Sequence, residues 1–295
     1  MSDKYIDVEK VLKEKTPKFY KLLPRFIIRW IKKILHEDEI NSVMAKIGHL
    51  KDLEFNDAVL NELNANIVSI GENNIPETGS IIIASNHPLG GLDGMALIKA
   101  VSKIRKDIKF IVNDILLKLE NYSGIFVGVN KLGNTPKQAL LNVEKVFTSD
   151  NAILFFPAGL VSRKQKINGQ WQIQDLKWNK TFVQKSAQYQ KPIIPVFIEG
   201  RNSDFFYNLS YWRKKLGIKG NIEMLFLPDE MFKQKNQTIK IYFGKPIPPS
   251  TFDKSKSFDQ WAELLKQYVY SGSIQNNISF TEYINNEQRN SVSKK

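Results

Sequence analysis

Between Asn66 and Phe243, short runs rich in β-branched and aromatic residues alternate with runs of helical period, and this alternation restricts the fold more than any other feature. The candidate strands are Asn66–Ile70, Ser80–Ala84, Ile108–Val112, Gly124–Val129, Ala152–Phe156, Ile193–Ile198, Ile222–Leu227 and Ile239–Phe243. Candidate helices between them run over Gly94–Ser102, Asp114–Leu119, Thr135–Phe147, Trp178–Tyr189 and Ser203–Lys215. Strands interleaved with helices predict an α/β fold, a single mixed, mainly parallel sheet flanked by helices. Asn168-Gly169 before Gln170-Trp171-Gln172-Ile173 predicts a short hairpin. Around this core, 1–64 reads as a basic helical region and 271–295 as a flexible polar tail expected to fray.

Composition narrows the function. A chain of 295 residues is long enough for one large α/β domain with a helical appendage. The absence of cysteine excludes disulfides and thiolate metal sites. His36, His49 and His87 are the three histidines, and none is paired at the i, i+4 spacing that puts two ligands on one helical face, so no metal is expected. A net charge of +13 points to an acidic partner: nucleic acid, an anionic membrane surface, or an acidic protein or phosphorylated ligand.

That charge is concentrated in the interval from Lys10 to Lys33, where Lys10, Lys13, Lys15, Lys18, Lys21, Arg25, Arg29, Lys32 and Lys33 stand against the single acid Glu14. From Pro24 to Leu35, Phe26, Ile27, Trp30, Ile31, Ile34 and Leu35 recur at helical spacing, with Arg25, Arg29, Lys32 and Lys33 on another face. This is the composition of a helix lying in a lipid interface, and equally of an amphipathic helix packed on its own domain. No apolar run of about eighteen residues occurs, so no transmembrane span is expected. The N-terminus lacks the apolar core of a secretory signal, and the expectation is the cytoplasmic face of the membrane, peripherally bound.

The chemistry concentrates in three segments. In Asn86-His87-Pro88-Leu89-Gly90-Gly91-Leu92-Asp93-Gly94, an imidazole and a carboxylate flank a small-residue turn directly after Ile81-Ile82-Ile83-Ala84. A histidine whose tautomer is fixed by a carboxylate is equipped to take a hydroxyl proton. The plain alternative is a histidine bonded to backbone and an aspartate that only caps a helix. In Phe156-Pro157-Ala158-Gly159-Leu160-Val161-Ser162-Arg163, a second strand ends in a turn with hydroxyl and guanidinium groups. The third is the strand Pro192-Ile193-Ile194-Pro195-Val196.

In this order the three segments resemble the blocks of the lysophospholipid acyltransferase family. The resemblance covers roughly 65–250 and makes 65–270 the acyltransferase domain and 1–64 its membrane-associating region. It implies that His87 is a base that activates an acceptor hydroxyl for attack on an acyl thioester, with Asp93 as its partner, no covalent enzyme intermediate and no metal. The remaining blocks are implied to bind substrate, here through Asn86, Lys131, Gly159, Ser162 and Arg163. Departures accompany the likeness: five residues rather than the commoner four separate His87 from Asp93, a gap that Gly90-Gly91 is placed to absorb. Ala158 stands for the usual Glu, Arg163 follows Ser162 rather than preceding it, and Lys131 is the loose counterpart of an Arg. The pattern is similar to a divergent branch, the hemolysin-like and aminolipid O-acyltransferases.

The leading expectation is therefore an O-acyltransferase without cofactor, moving a fatty acyl group from acyl carrier protein or coenzyme A to a lysophospholipid of the 1-acylglycerol-3-phosphate type. Alternatively, the acceptor is a lyso-aminolipid such as an N-acyl glycine or ornithine lipid. A serine esterase using Ser85 or Ser162 with His87 is a further reading, although no Gly-x-Ser-x-Gly elbow occurs. A binding adaptor for membrane or nucleic acid, using Trp30 and Trp212, leaves the His and Asp turn unexplained; nucleic acid is not expected as a partner. Phe205, Phe206, Tyr207, Tyr211 and Trp212 read as an acyl tunnel or as a packed helix face.

Overall fold

The computed structural model describes residues 4–113, 116–128 and 136–292. Five helices come first: α1 (Val8–Lys15), α2 (Pro17–Leu22), α3 (Arg25–Ile34), α4 (Glu37–Ile47) and α5 (Asp52–Glu62). The chain then follows β1 (Asn66–Ile70), β2 (Ile81–Ser85), α6 (Gly91–Val101), β3 (Ile108–Val112), β4 (Phe126–Gly128), α7 (Pro136–Thr148) and β5 (Ala152–Phe155). After the hairpin β6 (Arg163–Ile167) and β7 (Gln170–Gln174) come α8 (Thr181–Tyr189), β8 (Ile193–Ile198), α9 (Asp204–Lys215) and α10 (Leu227–Lys233). β9 (Thr238–Phe243), α11 (Phe258–Tyr270) and α12 (Phe280–Val292) complete the fold.

Seven strands form one sheet in the order β1-β9-β8-β2-β5-β3-β4. β8, β2, β5, β3 and β4 are mutually parallel, and β9 meets β8 antiparallel while pairing parallel with β1. The expected mixed, mainly parallel sheet is thus present. β2 is buried along its whole length because both faces are covered, which is why its sequence is a continuous apolar run rather than an alternation. Ile81 and Ile83 pack on one side with α5 and α6 residues such as Leu60 and Leu97, and Ile82 and Ala84 on the other with Phe147, Phe182 and Leu265 of α7, α8 and α11. Phe55 and Leu60 in that first layer tie α5, from the basic N-terminal region, directly to the sheet.

Three expectations are corrected. Ile222–Leu227 is not a strand but a 3-10 turn, Ile222–Phe226, that leads into α10. Pro228 in the first turn of α10 has fixed φ and no amide to donate to a ladder, and the buried Glu223 is drawn inward by arginine partners. The Asp114–Leu119 helix reduces to a 3-10 turn at Leu116–Lys118, with Asp114 and Ile115 outside the described residues. The segment from Ser271, expected to fray, instead forms α12, whose Phe280 is buried against Trp261 and Tyr268. Tyr268 also donates its hydroxyl to the Ile278 carbonyl at 2.7 Å.

Candidate active site

β2 is the central strand, and the chain leaves it by α6 to β3 on one side, whereas β8 lies on the other. Such a switch point opens a crevice beyond the carboxyl ends of the strands, and the turn carrying His87 is there. Gly90, at φ 89° and ψ −133°, makes the reversal and is the N-cap of α6. An added Cβ at Gly90 would stand 3.2 Å from Leu227 Cδ2, a tight approach to a side-chain end, and it is the backbone conformation that strains any other residue here. Gly91 begins the helix.

Asp93 is fully buried in the first turn of α6. Its Oδ2 accepts from the backbone amides of Leu89 at 2.7 Å and Gly90 at 3.0 Å, and lies 2.9 Å from His87 Nδ1. Asp93 is therefore not the N-cap of α6, a place held by Gly90, but the third helical residue, whose carboxylate reaches back to the Gly90 amide while it partners His87. Burial pushes the Asp93 carboxyl up, against the bond to His87 and the two amides that hold it down. With Nδ1 donating to the carboxylate, Nε2 is the ring nitrogen left to face a substrate. The ring lies stacked on Phe156 at 4.1 Å, and Phe156 in turn meets Phe110 edge-on at 5.2 Å. A partly exposed imidazole with a fixed tautomer, braced on an aromatic face, is competent as a general base for a hydroxyl. Among the described residues no cluster of His, Asp or Glu has the make-up of a metal site.

The expected substrate contacts fare differently. Asn86 is buried, its amide donating to the Ile198 carbonyl at 3.0 Å and accepting from the Ile198 amide at 2.7 Å, and so it fastens β2 to β8. Ser162 is buried and donates to Asp175 Oδ1 at 2.6 Å. Arg163 is turned inward: its Nη2 donates to Glu223 at 2.9 Å, its Nη1 to the Val161 carbonyl at 2.6 Å, and the guanidinium covers Phe206. Burial pulls the Arg163 guanidinium down and Glu223 opposes that. These three polar groups are spent within the protein and are not presented to a ligand. Gly159 stands at φ 64° in an exposed turn with open space where a side chain would begin. Lys131 lies outside the described residues.

Neither serine serves the esterase reading. Ser85 is fully buried and its hydroxyl donates to the Asn86 carbonyl at 3.0 Å, while the Ser162 hydroxyl is committed to Asp175. Sequence reasoning missed Asp175, whose carboxyl holds the His87 amide, and Trp178 and Tyr270, which are hydrogen-bonded to Asp175. Within the aromatic group, Phe206 and Tyr207 are core residues, whereas Phe205 and Trp212 are exposed.

The N-terminal helix is split by its environment. Ile28 of α3 is buried, while Phe26 and Trp30 are 65 % and 53 % exposed, in line with Leu22 at 81 %. Arg25, Arg29 and Lys33 are exposed beside them, but Lys32 is turned toward Glu9 at 2.8 Å and Glu37 at 3.7 Å, and is removed from the expected lipid-facing set. No described helix is long and apolar enough to cross a membrane.

The acyltransferase family model matches residues 10–278. Lyso-glycine lipid O-acyltransferase of Bacteroides thetaiotaomicron is 46 % identical over 90 % of this chain and 96 % of its own length. The protein of the same description from Phocaeicola vulgatus is 44 % identical over 90 % of this chain and 94 % of its own. Among solved structures, 1-acyl-sn-glycerophosphate acyltransferase of Thermotoga maritima aligns over 82 % of this chain and 90 % of that one, at 17 % identity and a TM-score of 0.42.

Proposed function

Because the chain belongs to the acyltransferase family, we propose that it transfers a fatty acyl group from a thioester to the free hydroxyl of a lyso-glycine lipid, an N-acyl glycine with a hydroxylated acyl chain. The observation that carries the chemistry is the 2.9 Å pairing of His87 Nδ1 with the buried Asp93 at the mouth of the central strand. In the proposed reaction Nε2 of His87 takes the proton of the acceptor hydroxyl as its oxygen attacks the thioester carbonyl. The tetrahedral intermediate then expels the thiolate, which receives that proton from the imidazolium. Asp93 holds the ring and offsets the positive charge while it lasts. The donor is acyl carrier protein or coenzyme A, the first being favoured by the net charge of +13 because its partner surface would be acidic.

The glycine-lipid acceptor rests on the description of two relatives that match nearly the whole chain. A lysophospholipid acceptor of the 1-acylglycerol-3-phosphate type is compatible with the same chemistry and is the comparison substrate. The enzyme would work as a peripheral protein on the cytoplasmic face of the membrane, where Leu22, Phe26 and Trp30 enter the interface and Arg25, Arg29 and Lys33 meet anionic headgroups. The test is thioester consumption by purified wild type and His87→Ala with lyso-glycine lipid, lyso-ornithine lipid and 1-acylglycerol-3-phosphate, each with both donors. Turnover is expected with lyso-glycine lipid and lost in His87→Ala. Faster turnover of the phosphate-bearing acceptor would overturn the acceptor assignment, and full activity of His87→Ala would overturn the mechanism.

A further inference from the structure

We propose that Asp175 is a positioning residue for His87: its carboxyl anchors the main chain of the histidine, and with it the reacting nitrogen, by gathering donors from three separate parts of the fold. The inference rests on the reading of His87 as the base. His87 lies two residues beyond the end of β2, so the sheet no longer supplies partners for its backbone. Its amide donates instead to Asp175 Oδ1 at 3.2 Å, across 88 positions of sequence. Its carbonyl accepts from the Ser162 amide at 2.8 Å, and the Ser162 hydroxyl donates to that same Asp175 oxygen at 2.6 Å. Both main-chain groups of His87 are thus held by a pair of residues that are themselves bonded together.

The anchor is in turn fixed. Asp175 Oδ2 accepts from Trp178 Nε1 at 2.9 Å, and the Asp175 amide donates to the Tyr270 hydroxyl at 2.9 Å. Tyr270 Oη lies 3.3 Å from Ser162 Oγ, and burial, with Asp175 beside it, pushes the Tyr270 hydroxyl up, so it keeps its proton. Asp175, Ser162 and Trp178 are buried, and the hydrogen bond that the carboxyl makes to His87 is to its main-chain amide, so its action on the reaction passes through the His87 backbone. Burying a carboxyl is costly, and here the cost is offset because both of its oxygens accept hydrogen bonds. A purely apolar filling of the same space would leave the His87 amide without an acceptor. The ring's other constraints, Asp93 at Nδ1 and Phe156 against its face, fix its rotation but not the height of its Cα over the sheet. Displacement of a reacting group by about 1 Å costs on the order of 100-fold in rate.

Asp175→Asn keeps the volume but sets a carboxamide N–H₂ against either the Trp178 donor or the His87 and Ser162 donors. The expected result is a fall in kcat of roughly 10- to 100-fold, with KM for both substrates changed by less than about threefold. The downfield proton signal of His87 Nδ1–H in the folded variant should broaden or move. Ser162→Ala, which loses one donor and little volume, should show the same kcat-only pattern at about 3- to 10-fold. Should Asp175→Asn not fold, Ser162→Ala carries the test. Wild-type kcat and an unmoved signal in the folded variants would overturn the inference, as would loss of activity only in proportion to loss of folded protein. His87→Ala run alongside separates the two claims: if it stays active, the assignment of the base fails first.

Discussion

At the scale of single residues, Asp93 performs two tasks with opposite demands. As the acceptor for the Leu89 and Gly90 amides at the start of α6 it needs only an oxygen, which an amide also provides, while as the partner of His87 it needs a negative charge. Asp93→Asn should therefore fold and lose on the order of a thousandfold in kcat, because the imidazolium formed in the transition state is no longer offset. Stability should move the other way. Burial raises the native carboxyl above its ordinary value of 3.8, so the native state holds this proton more tightly than the unfolded chain does. Ionisation of Asp93 then works against the fold as pH climbs past 3.8 toward the native value, and the penalty is complete above it. Thermal unfolding of both proteins across pH should show the variant gaining relative stability as pH rises from about 4, and the gap shrinking below about pH 4. A variant more destabilised at neutral pH than in acid would contradict this. The His and Asp pair was legible because a single turn contains both. Asp175 was not, since nothing local marks an aspartate whose acceptor role is directed to an amide 88 positions away. Arg163 misled because a guanidinium after a strand end reads the same whether it faces a ligand or a buried Glu223.

At the scale of elements, two helices show where pattern suffices and where it fails. In α3 the helical period was readable, but which apolar residues face protein was not, because every turn carries an apolar side chain on more than one face. Ile28 faces the domain and Phe26 and Trp30 face outward, with Trp30 edge-on to Phe226 at 6.1 Å. Phe26→Ala with Trp30→Ala should abolish most binding to anionic vesicles in a sedimentation assay while leaving the unfolding midpoint unchanged. Replacing Arg25, Arg29 and Lys33 by Gln should weaken binding about 100-fold, at about 1 kcal/mol per charge near the surface. Lys32→Gln, by contrast, should leave vesicle affinity intact, since its ammonium is spent on Glu9 and Glu37. In α12 the sequence is mostly polar and its burial rests on few side chains, chiefly Phe280, which is why a fraying tail was the natural reading. The start signal was nonetheless present: Ser279 and Glu282 form a reciprocal cap, the Glu282 carboxylate accepting from the Ser279 amide at 2.6 Å and the Ser279 hydroxyl from the Glu282 amide at 3.3 Å. Phe280→Ala should cost about 3–5 kcal/mol in chemical denaturation, and a loss below about 1 kcal/mol would mean that α12 is not docked in solution.

At the scale of the molecule, the reactive turn and the exposed apolar surface are neighbours. Gly90, in the turn, lies against Leu227, the residue after Phe226, and Phe226 packs between Trp30 of α3 and Phe205 of α9. A lipid acceptor held in an interface at Phe26, Trp30 and Phe205 would thus be only a few side chains from His87. That adjacency makes the role of the +13 charge separable from catalysis. Attraction to anionic lipid is screened as the Debye length falls from about 30 Å at about 0.01 M salt to about 3 Å at about 1 M, while the chemistry of a buried pair is hardly affected. With one donor fixed, turnover of acceptor presented in anionic vesicles should fall steeply over that range relative to turnover of a short-chain, monomerically dissolved acceptor. In neutral vesicles the salt dependence of that ratio should largely disappear, and Phe26→Ala with Trp30→Ala should lower vesicle turnover while sparing the dissolved acceptor. If the two acceptors respond to salt identically, the charge serves the donor rather than the membrane, and the basic helices would have to be reassigned to carrier-protein docking.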